Sequence, residues 1–239
     1  MIVTVYYAFI KKGKSSVPEL GPVQAISEAV DRSVEMGKPV HYAGGELSGV
    51  GGEYAAMTVA MLTGLRYVAG LCADKGARLI AHASKTAEIV PLMQQIVREQ
   101  YALKGKADKF NIGDVRFYGE LYAAGILEGF ATDGVGCNIT LGASAGDAVV
   151  VMDSARRHGA VNIGGTGRWG MQYAFATLCD YMLIGPEIYA AAAVMSNDER
   201  QLRTITSEDI IKTIVIALLI SGFVLTLAGS TIIQTILSI

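Results

Sequence analysis

Val23, Ile26, Val30 and Val34 recur at intervals of three and four residues, the spacing that gathers apolar side chains on one face of a helix. That helix stops at Gly37, just ahead of Lys38-Pro39. Val40 to Ala43 then reads as a short strand, followed by the glycine-rich "GGELSGVGGE". From about Glu53 to Asp74 the chain is apolar almost all round, with Arg66 as its one internal charge, and Gly76 ends it. A helix of that kind also meets the length test for a membrane span. The strand signals on either side and the arginine favour a central helix buried between layers.

The alternation continues to the C-terminal region. "ARLIAH" is a strand and Lys85 to Leu103 a helix with Pro91 as an early break or kink. "VRFYG" is a weaker strand, and Glu120 to Phe130 a short helix. "CNITLG", "AVNIGG" and "YMLIG" are strands, separated by helices over Asp147 to His158 and Gly170 to Cys179. Pro186 opens the first turn of a helix through "EIYAAAAVM". Strands joined by helical crossovers of this length predict a mostly parallel, Rossmann-like α/β sheet with helices on both faces.

Composition changes this picture at one end. The chain has 239 residues, a formal net charge of -2 and 51% apolar residues, so no broad basic field marks it for nucleic acid. The apolar excess is localised: the 26 residues from Ile214 to Ile239 carry no charge. As a helix this stretch would run ~39 Å, enough to cross a ~30 Å hydrocarbon core, so a transmembrane helix over 206–239 is expected. Thr206 and Ser207 serve as its caps, with Glu208 and Asp209 at the positive end of the dipole. Arg200, Arg203 and Lys212 precede the span and nothing basic follows it, which puts the α/β domain, residues 15–205, on the cytoplasmic side of the cell membrane. Residues 1–14 form an apolar stub closed by Lys11, Lys12 and Lys14, too short to span, and read as a membrane-associated segment or a buried strand. Cys72, Cys137 and Cys179 have no CxxC pairing and read as reduced, buried thiols.

In a parallel sheet the loops that follow the strands share the carboxyl edge, where ligands bind. Three glycine-rich loops, Gly44 to Gly52, Gly142 to Gly146 and Gly164 to Gly170, should therefore converge there. Glycine lets backbone N–H groups approach an anion, and each following helix offers its positive end. This makes Gly44, Gly45, Ser144, Gly164, Gly165 and Thr166 candidate ligand contacts, with Arg168 as a charged clamp for a phosphate or carboxylate. Tight α/β packing also demands glycine in short turns, so each loop has a purely structural reading as well. No GxGxxG follows a strand, no Gly-Lys-Ser/Thr occurs in these loops, and Glu46 and Glu53 would repel a phosphate at the first loop. No cofactor and no metal constellation is identified.

Gly142-Ala-Ser144-Ala-Gly146 fits the nucleophile-elbow pattern between a strand and a helix. The next histidine, His158, lies at the far end of the following helix, ~21 Å from the serine. His41 and His82 are at strand ends, so a base would have to come from an unusual chain order.

The segments "ISEAVDRSVEMGKPVHYAGG", "EYAAMTVAMLTGLRYVAGLCADKGARLI" and "NIGGTGRWGMQYAFATLCDYMLIGPEIYAAAAVM" resemble an uncharacterised prokaryotic family, a domain of unknown function in archaeal and bacterial membrane-associated proteins. The resemblance covers about residues 20 to 220. It implies membrane attachment and the α/β fold but brings no catalytic residue. Family members often carry a full N-terminal span, whereas here only residues 1 to 10 are available for one.

The expected function is a membrane-anchored module forming a homo-oligomeric or multi-subunit assembly, with a small anionic ligand at the carboxyl edge. Its partners would be the bilayer and further copies or other membrane subunits. The alternative is a membrane-associated enzyme, a hydrolase or nucleotide-utilising one, acting on a small anionic substrate with Ser144, Arg168, His41 and His82 as the groups to test.

Overall fold

The computed structural model describes residues 20–197 and 199–227. The sequence expectations for residues 1–14 and for the end of the apolar C-terminal run lie outside them. The chain divides into two compact units, Glu19–Ser196 and one that takes in the last described helix.

The first unit alternates helix and strand throughout: α1 (Gly21–Glu35), β1 (Val40–Ala43), α2 (Ala55–Lys75), β2 (Leu79–His82), α3 (Ile89–Leu103), β3 (Val115–Arg116), α4 (Tyr122–Thr132), β4 (Cys137–Leu141), α5 (Gly146–Arg157), β5 (Val161–Thr166), α6 (Gln172–Leu178), β6 (Tyr181–Ile184) and α7 (Glu187–Ser196). All six strands pair in parallel, in the order β3-β2-β1-β4-β5-β6. This is the order of doubly wound sheets, with the topological switch point between β1 and β4.

The two faces of the sheet differ in chemistry. Val40 and Tyr42, Leu79 and Ala81, and Cys137, Ile139 and Leu141 alternate onto one face and pack with α1, α2, α3 and α7 in a continuous apolar core. The other face meets α4, α5 and α6 through two smaller clusters that include Ile126, Phe130, Val151 and Phe175. It also carries buried polar side chains: His41, Asn138 and Asn162 lie in register across β1, β4 and β5. The Asn138 amide donates to Asn162 Oδ1 at 2.9 Å, and the Asn162 amide donates to the Met152 carbonyl at 2.9 Å. This row fixes α5 to the sheet in one register, because a slip would leave buried amides unpaired.

Helix α2 is the described helix long and apolar enough to cross a membrane. Met61, Leu65, Val68 and Cys72 are instead buried in the core of the α/β unit, each fully buried side chain contributing about 1.5–3 kcal/mol. Its one internal charge, Arg66, sits 3.6 Å from Glu99 on α3. Gly76 in the left-handed conformation (φ 77°) closes it.

Three element boundaries differ from the sequence expectation. Helix α3 begins at Ile89, after a turn over Lys85 to Glu88, so Pro91 falls in the first turn, where its missing N–H costs nothing. Pro186 lies just before α7, and its carbonyl accepts from Tyr189 N at 3.0 Å. The last described helix, α8, spans Glu199–Leu227. It therefore passes through Thr206 and Ser207, which are not its caps. The local polar run offered a start signal, but Glu199 to Ile210 also suits helix interior, and propensity alone does not stop a helix there.

Candidate functional site

The three glycine loops do converge on the carboxyl edge, and what they do there is hold one another. The Leu47 amide donates to the Ala143 carbonyl at 2.9 Å. The Ser48 hydroxyl donates to the Gly44 carbonyl and accepts from the Ala143 amide at 3.1 Å. A Cβ at Gly142 would stand 2.6 Å from the Gly44 carbonyl oxygen, and its φ of 125° is one that other residues rarely adopt. Gly44 and Gly45 therefore serve loop-to-loop contact. The loop after β2 joins them, with the Ser84 hydroxyl donating to the Ser48 carbonyl at 2.6 Å and the Lys85 amide to the Glu46 carbonyl at 3.2 Å.

The anion position at the start of α5 is taken by the chain itself. Glu46 is 2% exposed, and its Oε1 accepts from the backbone N–H groups of Ala145, Asp147 and Ala148 at 2.6, 3.0 and 3.4 Å. These are the donors that would otherwise bind a phosphate at a helix N-terminus. Burial raises the Glu46 carboxyl above its ordinary range, with the neighbouring Asp147 charge adding to the rise and the amide bonds opposing it. At the start of α5, beside the Gly44, Gly45 and Ser144 expected to cradle a phosphate or carboxylate, the carboxylate on the backbone amides is that of Glu46.

Gly164 and Gly165 are not loop residues. Both lie inside β5 and are buried, and a Cβ on Gly164 would stand 2.4 Å from Cys179 Sγ and 2.6 Å from the Phe175 ring. Glycine there lets α6 and its exit approach the strand. Thr166 ends β5, fully buried, and its carbonyl accepts from the Gln172 side-chain amide at 2.6 Å.

Arg168 engages the protein itself. Its Nη1 donates to the Ser144 carbonyl at 2.8 Å, and its guanidinium lies 5.4 Å from the centre of the Tyr54 ring, just before α2. One side chain thereby links the segment after β5 to the loop after β4 and to the chain leading into α2. Next to it, Trp169 and Tyr173 are 87% and 72% exposed.

Ser144 is fully buried, and its Oγ has no hydrogen-bond partner among the described residues. A nucleophile needs an accessible hydroxyl and a base within reach. His158 Nδ1 instead sits 2.8 Å from the Ser154 carbonyl, one turn back on its own helix.

His41 and His82 serve each other. His41 Nε2 lies 2.9 Å from the Gly134 carbonyl, which can only accept, so the proton is on that nitrogen. His41 Nδ1 must then accept from His82 Nε2, 2.8 Å away. The two rings form a directed chain, both neutral. Burial pushes His41 down to about 4, and burial, with the nearby Arg116 charge adding to it, holds His82 well below the usual range. Arg116 donates to Asp133 at 2.8 Å, and Arg78 binds both Asp133 and Asp114. Sequence reading placed these histidines at strand ends but missed their pairing, which depends on the neighbouring register of β1 and β2.

The cysteines are free: Cys72 and Cys137 are buried and Cys179 partly so. Among the described residues no group of three or more His, Cys, Asp and Glu side chains is placed to hold a metal.

A family model for a domain of unknown function, DUF6754, matches residues 1–237. The chain belongs to this family. No curated protein and no solved structure matches it. The family carries no assigned activity, in keeping with the uncharacterised family that the sequence resembles.

Proposed function

We propose that this member of the DUF6754 family is a membrane-anchored α/β module that assembles with further copies of itself, its anchor being the apolar part of α8 and the uncharged residues after it. One observation carries the reading. From Ile214 to Val224 the apolar side chains of α8 are exposed on every side of the helix, Leu219 at 68% and Phe223 at 67%. A helix whose apolar side chains are exposed all round belongs in hydrocarbon, since in water each such side chain forgoes about 1.5–3 kcal/mol. The described apolar stretch, Ile211–Val224, is by itself short for a span. The sequence continues without charge to Ile239 and supplies the remaining length. The basic residues Arg200, Arg203 and Lys212 support a cytoplasmic α/β unit.

Ser221 and Gly222 within α8 are small enough for close helix approach, which supports assembly in the bilayer. Trp169 and Tyr173 supply an exposed aromatic contact for a second copy at the carboxyl edge.

The test is membrane fractionation of the full chain with an alkaline carbonate wash. The native chain stays in the pellet, and the double variant Leu219→Lys, Phe223→Lys is released, each lysine costing about 2.5–3.5 kcal/mol at a helix centre in the bilayer. A native chain freed by carbonate overturns the anchor. Light scattering in mild detergent reads the second half of the reading, and a monomer at every concentration overturns assembly.

A further inference from the structure

A cavity of about 260 Å3 opens at the amino edge of the sheet, where α2 and α3 end and β2 and β3 begin. It shares no lining residue with the glycine loops. Its floor is apolar, formed by Cys72, Leu79, Ala81 and Val97, all buried. Burial pushes the Cys72 thiol up to about 12, so the floor stays uncharged. Tyr101 and Phe110 add aromatic walls, their ring centroids 6.5 Å apart.

The rim has the opposite character. Arg78, Lys106 and Lys109 line it against a single carboxylate, Asp114. Arg78 is engaged bidentately by Asp114 and again by Asp133. Lys106 is held by the Ala73 and Asp74 carbonyls at the end of α2, at 2.7 and 3.0 Å. Lys109 is exposed and, among the described residues, meets Asp108 alone, at the outer limit of 4.0 Å. Asn111, an exposed lining residue, accepts from Gly113 N through its Oδ1, and its amide NH2 can only donate.

We propose that this cavity binds a small amphipathic anion, its apolar body between Tyr101, Phe110 and the strand floor and its single acidic group at Lys109 and the Asn111 amide. The space sets the size class: an apolar cavity of ~150 Å3 accommodates benzene, so one of about 260 Å3 takes a ring with a short side chain. The apolar floor rejects a second charge, and the rim favours one negative group. A nucleotide is excluded by size and polarity alike.

Isothermal titration of the full chain in mild non-ionic detergent tests this, with 3-phenylpropanoate as probe and 3-phenylpropan-1-ol as its neutral counterpart. The acid binds saturably, and the alcohol binds about tenfold more weakly. Lys109→Glu weakens the acid about fivefold or more without changing the melting temperature, since the lysine is exposed. Ala77→Leu, which adds bulk to the lining, abolishes binding. Absence of saturable binding, equal binding of acid and alcohol, or undiminished binding to Lys109→Glu overturns the proposal. The exposed Lys109 variant decides the matter even where Ala77→Leu fails to fold.

Discussion

The two edges of this sheet exchange the roles that topology assigns them. At the carboxyl edge, beside the switch point where doubly wound sheets bind ligands, three loops are stitched together and Glu46 occupies the helix N-terminus. At the amino edge, usually a place of plain connections, a hollow of about 260 Å3 opens beside β2 and β3, and a more polar one of about 430 Å3 lies between α1 and the starts of β5 and β6. The difference teaches that a fold determines where a site can be built, while individual side chains determine whether it stands open. One carboxylate in a glycine loop is enough to turn an anion cradle into an internal cap.

Acid should disturb the link between the edges most. The imidazole chain runs from His82, at the carboxyl end of β2, through His41 to the Gly134 carbonyl just before β4. Both rings are neutral in the fold, and the lowered values mean that the unfolded chain takes up protons first as pH falls. Stability contributed by the pair is therefore complete above about pH 6.5 and is lost toward pH 4, at about 3 kcal/mol for His41 alone. Urea denaturation of the α/β unit within the full chain at pH 7.0 and about pH 4.5 measures this. A flat profile across that interval would show that the rings do not stay neutral, and that the edges are not joined in this way.

Glu46→Ala should come next, at about 2 kcal/mol, because three backbone donors at the start of α5 lose their acceptor. The variant also sharpens the comparison, for sulfate added to Glu46→Ala should recover part of the loss and leave the native chain unaffected. A Glu46→Ala chain as stable as native, and indifferent to sulfate, would mean that the edge is closed by the loops alone. The smallest effect belongs to the amino edge. Lys106→Met removes the cation on the last carbonyls of α2 and should lower the unfolding free energy by about 1 kcal/mol. A much larger loss there would show that the rim of the cavity is structural before it is anything else.

The fold was legible where the information is local. Valine spacing marked α1, Gly76 marked the end of α2, and β1 was readable residue for residue as Val40–Ala43. Convergence of the glycine loops was legible too, because parallel order alone brings them to one edge. Their purpose was not. Glu46 meets amides 99 to 102 positions away, a relation that no window of sequence contains. The sign was present all the same: a glutamate inside a glycine loop that would repel phosphate is well suited to capping a helix itself. Gly164 and Gly165 misled for a related reason, since glycine in a strand beside a crowded helix looks the same in sequence as glycine in a cradle. The amino-edge cavity left no motif, because its floor comes from ordinary alanine, leucine, valine and cysteine on three separate elements.

Trp169 is the chain's one tryptophan, and it projects from the tied loops with 87% of its surface open. The protein thus carries its own optical probe at a single known position. Its emission should be that of a water-exposed indole, readily quenched by iodide. Anything that settles on the carboxyl edge, whether another copy or an unrelated chain, will shift that emission to the blue and shield it from quencher. Binding at the amino edge will leave the signal unchanged, so one fluorescence spectrum distinguishes which end of the sheet is in use.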